Sequence, residues 1–162
     1  MESNPILKYL NDLSEITKKA TNGAMYQQMN KDAKPVKISL LKDVFTPQTI
    51  DTIKRQIQPK VKECYKNATL LAYLFPETVQ YVEGYMTIDK KLPVEHAFNL
   101  VNRKYYVDIT KELALGESPC EELYVALGEW NFNEIVEDVL FKTQVYGGIY
   151  QNKVIQTINN KK

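Results

Sequence analysis

The stretch YVEGYMTIDKKLPVEHAFNLVNRKYYVDIT, residues 81–110, decides how this chain folds. Three runs in it are rich in aromatic and β-branched side chains: Tyr81 to Ile88, Val94 to Val101 and Tyr105 to Ile109. Such runs suit the pleated, half-buried surface of a sheet. Only short polar gaps separate them, and short gaps join antiparallel neighbours. A further strand is predicted over Leu123 to Leu127.

Upstream of these strands the grammar is helical. Ile6, Leu10, Leu13 and Ile16 recur at helical spacing, so residues 5–20 read as an amphipathic helix ending at Asn22-Gly23. Val36 to Leu41 is an apolar stretch, strand or packed loop, and residues 24–35 have no clear period. Thr46-Pro47 is an N-cap followed by proline, which opens a helix to about Ile57, and Pro59 stops it. The next helix starts near Lys62 or Glu63, carries Cys64, Ala68, Leu71 and Ala72, and ends before Phe75-Pro76. Downstream, Phe132, Ile135, Val136, Val139 and Leu140 return to helical spacing. Gly147-Gly148 breaks the chain, Val154 to Ile158 forms a last short element, and residues 159–162 are expected to fray. Helices first and antiparallel strands next predict an α+β fold, with a cysteine-bearing helix packed on a small antiparallel sheet. At 162 residues one domain is expected. Its core falls at about 58–110, with a helical part at 1–50 and a strand and helix at 111–158.

Composition excludes several function classes. The net charge is +1, and arginine occurs only at Arg55 and Arg103, so nothing marks a nucleic-acid surface. No apolar run reaches membrane-spanning length, and residues 1–19 lack the basic start and apolar core of a secretory leader. The two cysteines, Cys64 and Cys120, match no zinc spacing and are too few for a disulfide framework. The expectation is a cytoplasmic protein with reduced thiols, no metal and no cofactor. The bias of lysine over arginine suggests an AT-rich genome, such as that of a phage or its host.

His96 is the only histidine, and histidine is the side chain suited to proton transfer near neutrality. Asp108 stands in an apolar run, where a carboxylate is costly unless a partner satisfies it. A His96 Nδ1–H from the adjacent strand would do so and fix the tautomer. Facing residues on a hairpin share one side of the sheet, and His96 and Asp108 differ by an even number. They therefore meet only if the turn around Asn102-Arg103-Lys104 has three residues, or if a bulge adds one. Cys64, at a helix start, sits where unpaired N–H groups favour thiolate, and with His96 it can form the pair that acyl transfer needs.

Four pieces together resemble the transglutaminase-like branch of the papain-like cysteine hydrolases. They are Glu63-Cys64-Tyr65-Lys66-Asn67-Ala68, Tyr81-Val82-Glu83-Gly84-Tyr85, Val94-Glu95-His96-Ala97-Phe98 and Tyr105-Tyr106-Val107-Asp108-Ile109-Thr110. That family has a cysteine at a helix start, a strand beginning His-Ala-aromatic and a strand ending Asp-x-Thr. Its frequent Asp-Pro-Thr stands here as Asp108-Ile109-Thr110. The resemblance implies a Cys64–His96–Asp108 triad acting on an amide or isopeptide bond of a peptide, protein or small amide. Peptidase, deamidase, cross-linking and N-acyltransferase chemistries all remain open. The resemblance also implies an oxyanion donor upstream of the cysteine. The Cys64 amide N–H is one candidate oxyanion donor, and Gln58 resembles the family's glutamine in type and offset, with Gln56 and Gln80 as competitors. Asn67, one turn after Cys64, is read as securing the helix. Glu83 and Glu95 are read as facing solvent, Trp130 and the tyrosines as core, and Cys120 as a loop thiol. The competing class is a non-catalytic interaction protein that keeps this fold.

Overall fold

Asn4 starts the first helix by accepting the Ile6 and Leu7 N–H groups on its side chain, with Pro5 at the position where no N–H is needed. The computed structural model describes residues 3–142 and 145–161. Helix α1 spans Pro5–Ile16, four residues shorter than the apolar period predicts. The Asn22-Gly23 pair opens a second helix, α2 (Gly23–Asp32). It buries Met25 and Met29 against Ile6 and Leu10 of α1. A three-residue strand, β1 (Lys34–Val36), and a short helix, α3 (Leu41–Val44), follow, so residues 1–50 are not wholly helical. Helix α4 (Pro47–Ile57) is capped by Thr46, whose hydroxyl accepts the Thr49 N–H at 3.1 Å. Helix α5 (Cys64–Leu74) begins on the cysteine itself.

The sheet adds β2 (Val79–Ile88), β3 (Leu92–Val101), β4 (Tyr105–Val107) and β5 (Tyr124–Trp130), all antiparallel, in the order β1-β5-β2-β3-β4. The α+β expectation holds. β5 runs three residues beyond its predicted end because it pairs with β2 along most of its length through a bulge. Glu83 faces Gly128 and Gly84 faces Ala126, leaving Leu127 as the extra residue. Gly84 admits this close approach, since a Cβ there would lie 1.9 Å from the Val125 carbonyl oxygen. After β5, an Asn131 capping box starts α6 (Phe132–Glu137), which widens into a π-helical turn over Asp138–Lys142. The last helix, α7 (Ile149–Asn160), is longer than the short element expected and takes in Asn159 and Asn160 of the predicted tail. Lys162 lies outside the described residues.

The sheet curls until its two edges meet. Ile38, just after β1, bridges Tyr106 of β4, and the Ser39 N–H donates to the Tyr106 carbonyl at 2.7 Å. The Tyr106 hydroxyl also donates to Glu129 of β5. Inside the curl lie Val82, Met86, Phe98, Leu100, Tyr124 and Ala126. Outside it, α5 lays Ala68 and Ala72 on Tyr81 and Ala97, and Leu71 on Val79, Val101 and Val107. Leu71 is fully buried, so removing its side chain would cost roughly 2–5 kcal/mol. This burial fixes α5 on the outer side of the sheet, across β2 and β3.

Candidate active site

β4 pairs with β3 through Asn99–Val107, Leu100–Tyr106 and Val101–Tyr105, which leaves a three-residue turn at Asn102, Arg103 and Lys104. Asn102 and Arg103 both have positive φ, and the Lys104 N–H closes the turn on the Val101 carbonyl. This is the odd turn that brings His96 and Asp108 to one side of the sheet. Continuing the register puts Asp108 opposite Phe98, diagonal to His96 by two residues. β4 ends at Val107, so the β3 edge beside His96 carries no further strand.

His96 Nε2 and Asp108 Oδ2 lie 2.7 Å apart, both side chains buried. The expected contact through Nδ1 is thus corrected to Nε2. The two residues are diagonal rather than directly opposite, a longer reach that the far ring nitrogen serves. Nε2 is committed to Asp108, which leaves Nδ1 as the ring nitrogen that can serve Cys64, whose electrostatic interaction with the ring helps to raise the His96 pKa. Burial works against the imidazolium, yet the charge and hydrogen bond of Asp108 and the interaction with Cys64 outweigh it and raise the His96 pKa to about 10. Burial likewise works against the Asp108 carboxylate. The His96 charge, with hydrogen bonds from His96, Tyr124 and the Lys111 N–H, outweighs it and lowers the Asp108 pKa.

Two supports of this pair escaped the sequence reading. The Tyr124 hydroxyl donates to Asp108 Oδ2 at 2.7 Å, and the Lys111 N–H donates to Oδ1 at 3.1 Å. Tyr124 comes from β5, and its ring packs edge-on against His96 and Phe98. Burial and the Asp108 charge push the Tyr124 phenol well up, so it remains a donor. Nothing local marks Tyr124. Only the curl of the sheet carries it to a residue sixteen positions earlier.

Cys64 is half-buried as the first residue of α5, and Asn67 secures that helix start as expected. The Asn67 amide donates to the Lys60 carbonyl and to the Thr110 hydroxyl, both at 2.9 Å, and its oxygen accepts the Lys60 N–H at 3.3 Å. The Asp-x-Thr segment therefore has two tasks. Asp108 holds the histidine, and Thr110 ties down the cysteine helix. Gln58 is not brought into this arrangement. It caps α4 in the left-handed conformation, φ 52°, with its side chain exposed and, among the described residues, hydrogen-bonded to none of the site. Cys120 is exposed on a single helical turn, Pro119–Glu121.

Glu83 overturns its reading as a solvent-facing residue. It is 6% exposed on the outer side of β2 and accepts from the Tyr81 hydroxyl, the Ile149 N–H at 3.0 Å and the Tyr150 N–H at 2.9 Å. It therefore caps α7 from a distant strand, where the free N–H groups of a helix favour a carboxylate. Burial outweighs these bonds and raises its pKa. Glu95 is exposed, as expected.

Among the described residues no cluster of three or more His, Cys, Asp or Glu side chains is placed to hold a metal, and no helix is long and apolar enough to cross a membrane. Comparison with protein-family models, with curated proteins and with solved structures found no match.

Proposed function

We propose that this protein is a thiol-dependent hydrolase or acyltransferase acting on an amide or isopeptide bond, with a fold akin to the transglutaminase-like cysteine hydrolases. The observation that carries the reading is the chain Cys64–His96–Asp108. One ring nitrogen of a buried histidine is on a buried carboxylate at 2.7 Å, and a half-buried thiol at a helix start interacts electrostatically with the same ring.

In this reading the Cys64 thiolate attacks the carbonyl carbon, and His96, as imidazolium, donates its Nδ1 proton to the leaving amine. A thioester remains on Cys64. Water or an amine then attacks it while the neutral His96 accepts a proton, and the C–S bond breaks to release the acyl product. Asp108 orients the ring through Nε2 and stabilises its positive form without itself taking the proton. Tyr124 and Lys111 hold Asp108 in place. The Cys64 backbone N–H, in the first turn of α5 where N–H groups lack intrahelical partners, is the candidate donor to the developing oxyanion. An exposed Gln58 does not share that role.

The test is labelling by a peptide-like amide mimic that carries an electrophile in place of the scissile carbonyl. Labelling at Cys64 that is lost in His96→Ala supports the proposal. No labelling at Cys64, or labelling indifferent to His96, overturns it and favours a non-catalytic interaction protein.

A further inference from the structure

On the outer side of the sheet, a cleft of about 120 Å³ opens between β2, α2, α7 and Tyr65, the second residue of α5. Its chemistry is one-sided. Tyr26, Tyr65, Tyr85 and Tyr150 supply the walls, and Glu83 and Glu95 supply the charge. No lysine, arginine or histidine lines it among the described residues, although the whole chain carries a net charge of +1. The cleft is tied to the triad through the chain itself, because Tyr65 follows Cys64 and Glu95 precedes His96.

The two carboxylates differ in what they can offer a ligand. Glu83 is occupied by Tyr81 and the first N–H groups of α7. Glu95 is exposed, and no ion pair is formed by it among the described residues. Its charge acts on Tyr65, Tyr85 and Glu83, all of them cleft residues. Burial pushes the Tyr65 and Tyr85 phenols up, so they stay neutral. A neutral aromatic wall presents its negative ring face to a cation.

We infer that this cleft is a recognition subsite for a positively charged side chain of the substrate, an alkylammonium or guanidinium group, with Glu95 as the specificity-determining residue. The inference rests on the thiol-hydrolase reading, because it places the charged group next to a bond held at Cys64. The volume suits one side chain, since a cavity of about 150 Å³ accommodates benzene. An anionic group would meet Glu95 and Glu83 with no counter-charge and is disfavoured. Glu95 selects the side chain and takes no part in the bond making.

Three iodoacetamides of matched length test this, with aminobutyl, hydroxybutyl and carboxypropyl tails. In each, the Cys64 thiolate displaces iodide, so only the tail charge varies. The rate at Cys64 is read by peptide mapping at about pH 7, and the ratio of cationic to neutral rates cancels any change in thiolate content. The expected ratio is about fivefold in the native chain, the effect of one partly screened charge near contact. It should fall towards one in Glu95→Gln and below one in Glu95→Lys, with the anionic reagent slowest in the native chain and recovered in Glu95→Lys. Equal rates for the three tails at a Cys64 that is still more reactive than a free thiol would overturn the cation subsite and leave the nucleophile standing. A Cys64 no faster than a free thiol with every reagent would remove the nucleophile and the subsite with it. A tail preference that survives in Glu95→Lys would also overturn the role of Glu95.

Discussion

Two buried carboxylates lie on opposite sides of the sheet, and they are held in opposite ways. Asp108 sits inside the curl, facing a histidine, a phenol and one backbone N–H. Glu83 sits outside it, facing a phenol and two backbone N–H groups at the head of α7. Both satisfy the rule that a buried charge needs hydrogen-bonding partners. Only Asp108 has a partner that can change its own charge. A helix terminus offers a fixed field, which suits a structural anchor, whereas an imidazole can take and give a proton, which suits chemistry. The same residue class thus builds a helix cap on one side and an anchor for an imidazole on the other.

Four experiments break or sharpen that contrast. The largest effect should come from Cys64 and His96. His96→Ala and Cys64→Ala should each lower turnover of a susceptible amide at least about 10³-fold while leaving the fold intact, as judged by thermal unfolding. Full activity in either variant would end the enzyme reading. The anchor should behave the other way. Glu83→Ala strips the α7 N-terminus and leaves the Tyr81 hydroxyl unpaired, so unfolding should cost about 2–4 kcal/mol less than in the native chain. An unchanged midpoint in denaturant would show that α7 does not depend on Glu83.

Asp108→Asn should fall between the two. It keeps an acceptor for His96 but removes the charge, so alkylation of Cys64 at about pH 6 should slow roughly tenfold and Cys120 should be unaffected. Its stability cost should also depend on pH. The His96 pKa is raised from 6.5 to about 10, so its contribution is complete below pH 6.5 and is lost as pH rises through 10. The Asp108 pKa is lowered from 3.8, so its contribution is present above that value and is lost as pH falls below it. The gap in melting temperature between native and Asp108→Asn chains should be widest near pH 5–6 and close toward pH 10 and above. A gap that widens with pH would have the wrong sign for this pair. The smallest effect belongs to Tyr124→Phe, which keeps the ring against His96 and Phe98 and removes one of two donors on Asp108 Oδ2. A loss of about 1 kcal/mol in stability is expected. The pH profile of Cys64 alkylation should move as well, a readout that loss of packing alone would leave in place.

Much of this arrangement was legible in the residue order. The caps at Thr46-Pro47 and the strand runs in 81–110 are local signals, and α4, β2 and β3 appear within two residues of where those signals put them. The parity argument at Asn102-Arg103-Lys104 is local too, because a hairpin turn sets the register of both its strands. β1 was not legible. Only Val36 falls in the stretch read as strand or packed loop, while Lys34 and Pro35 carry no strand signal and pair where β5 offers an edge. The extent of β5 past Leu127 was hidden by Gly128 and Glu129, which interrupt the apolar alternation that a bulge restores.

The sequence by itself determined the α+β class, the cysteine at a helix start and the facing of His96 and Asp108, since each depends on neighbours within about a dozen positions. Only the tertiary structure decided that Tyr124 reaches Asp108, that Glu83 caps α7 sixty-six residues away, that Gln58 stays outside the site and that His96 engages Asp108 through Nε2. Those outcomes depend on how far the sheet curls and where α5 and α7 come to rest on it. Curl and docking follow from burying apolar surface across the whole chain, a term that is non-directional and sums over many residues. No short stretch of residues encodes it.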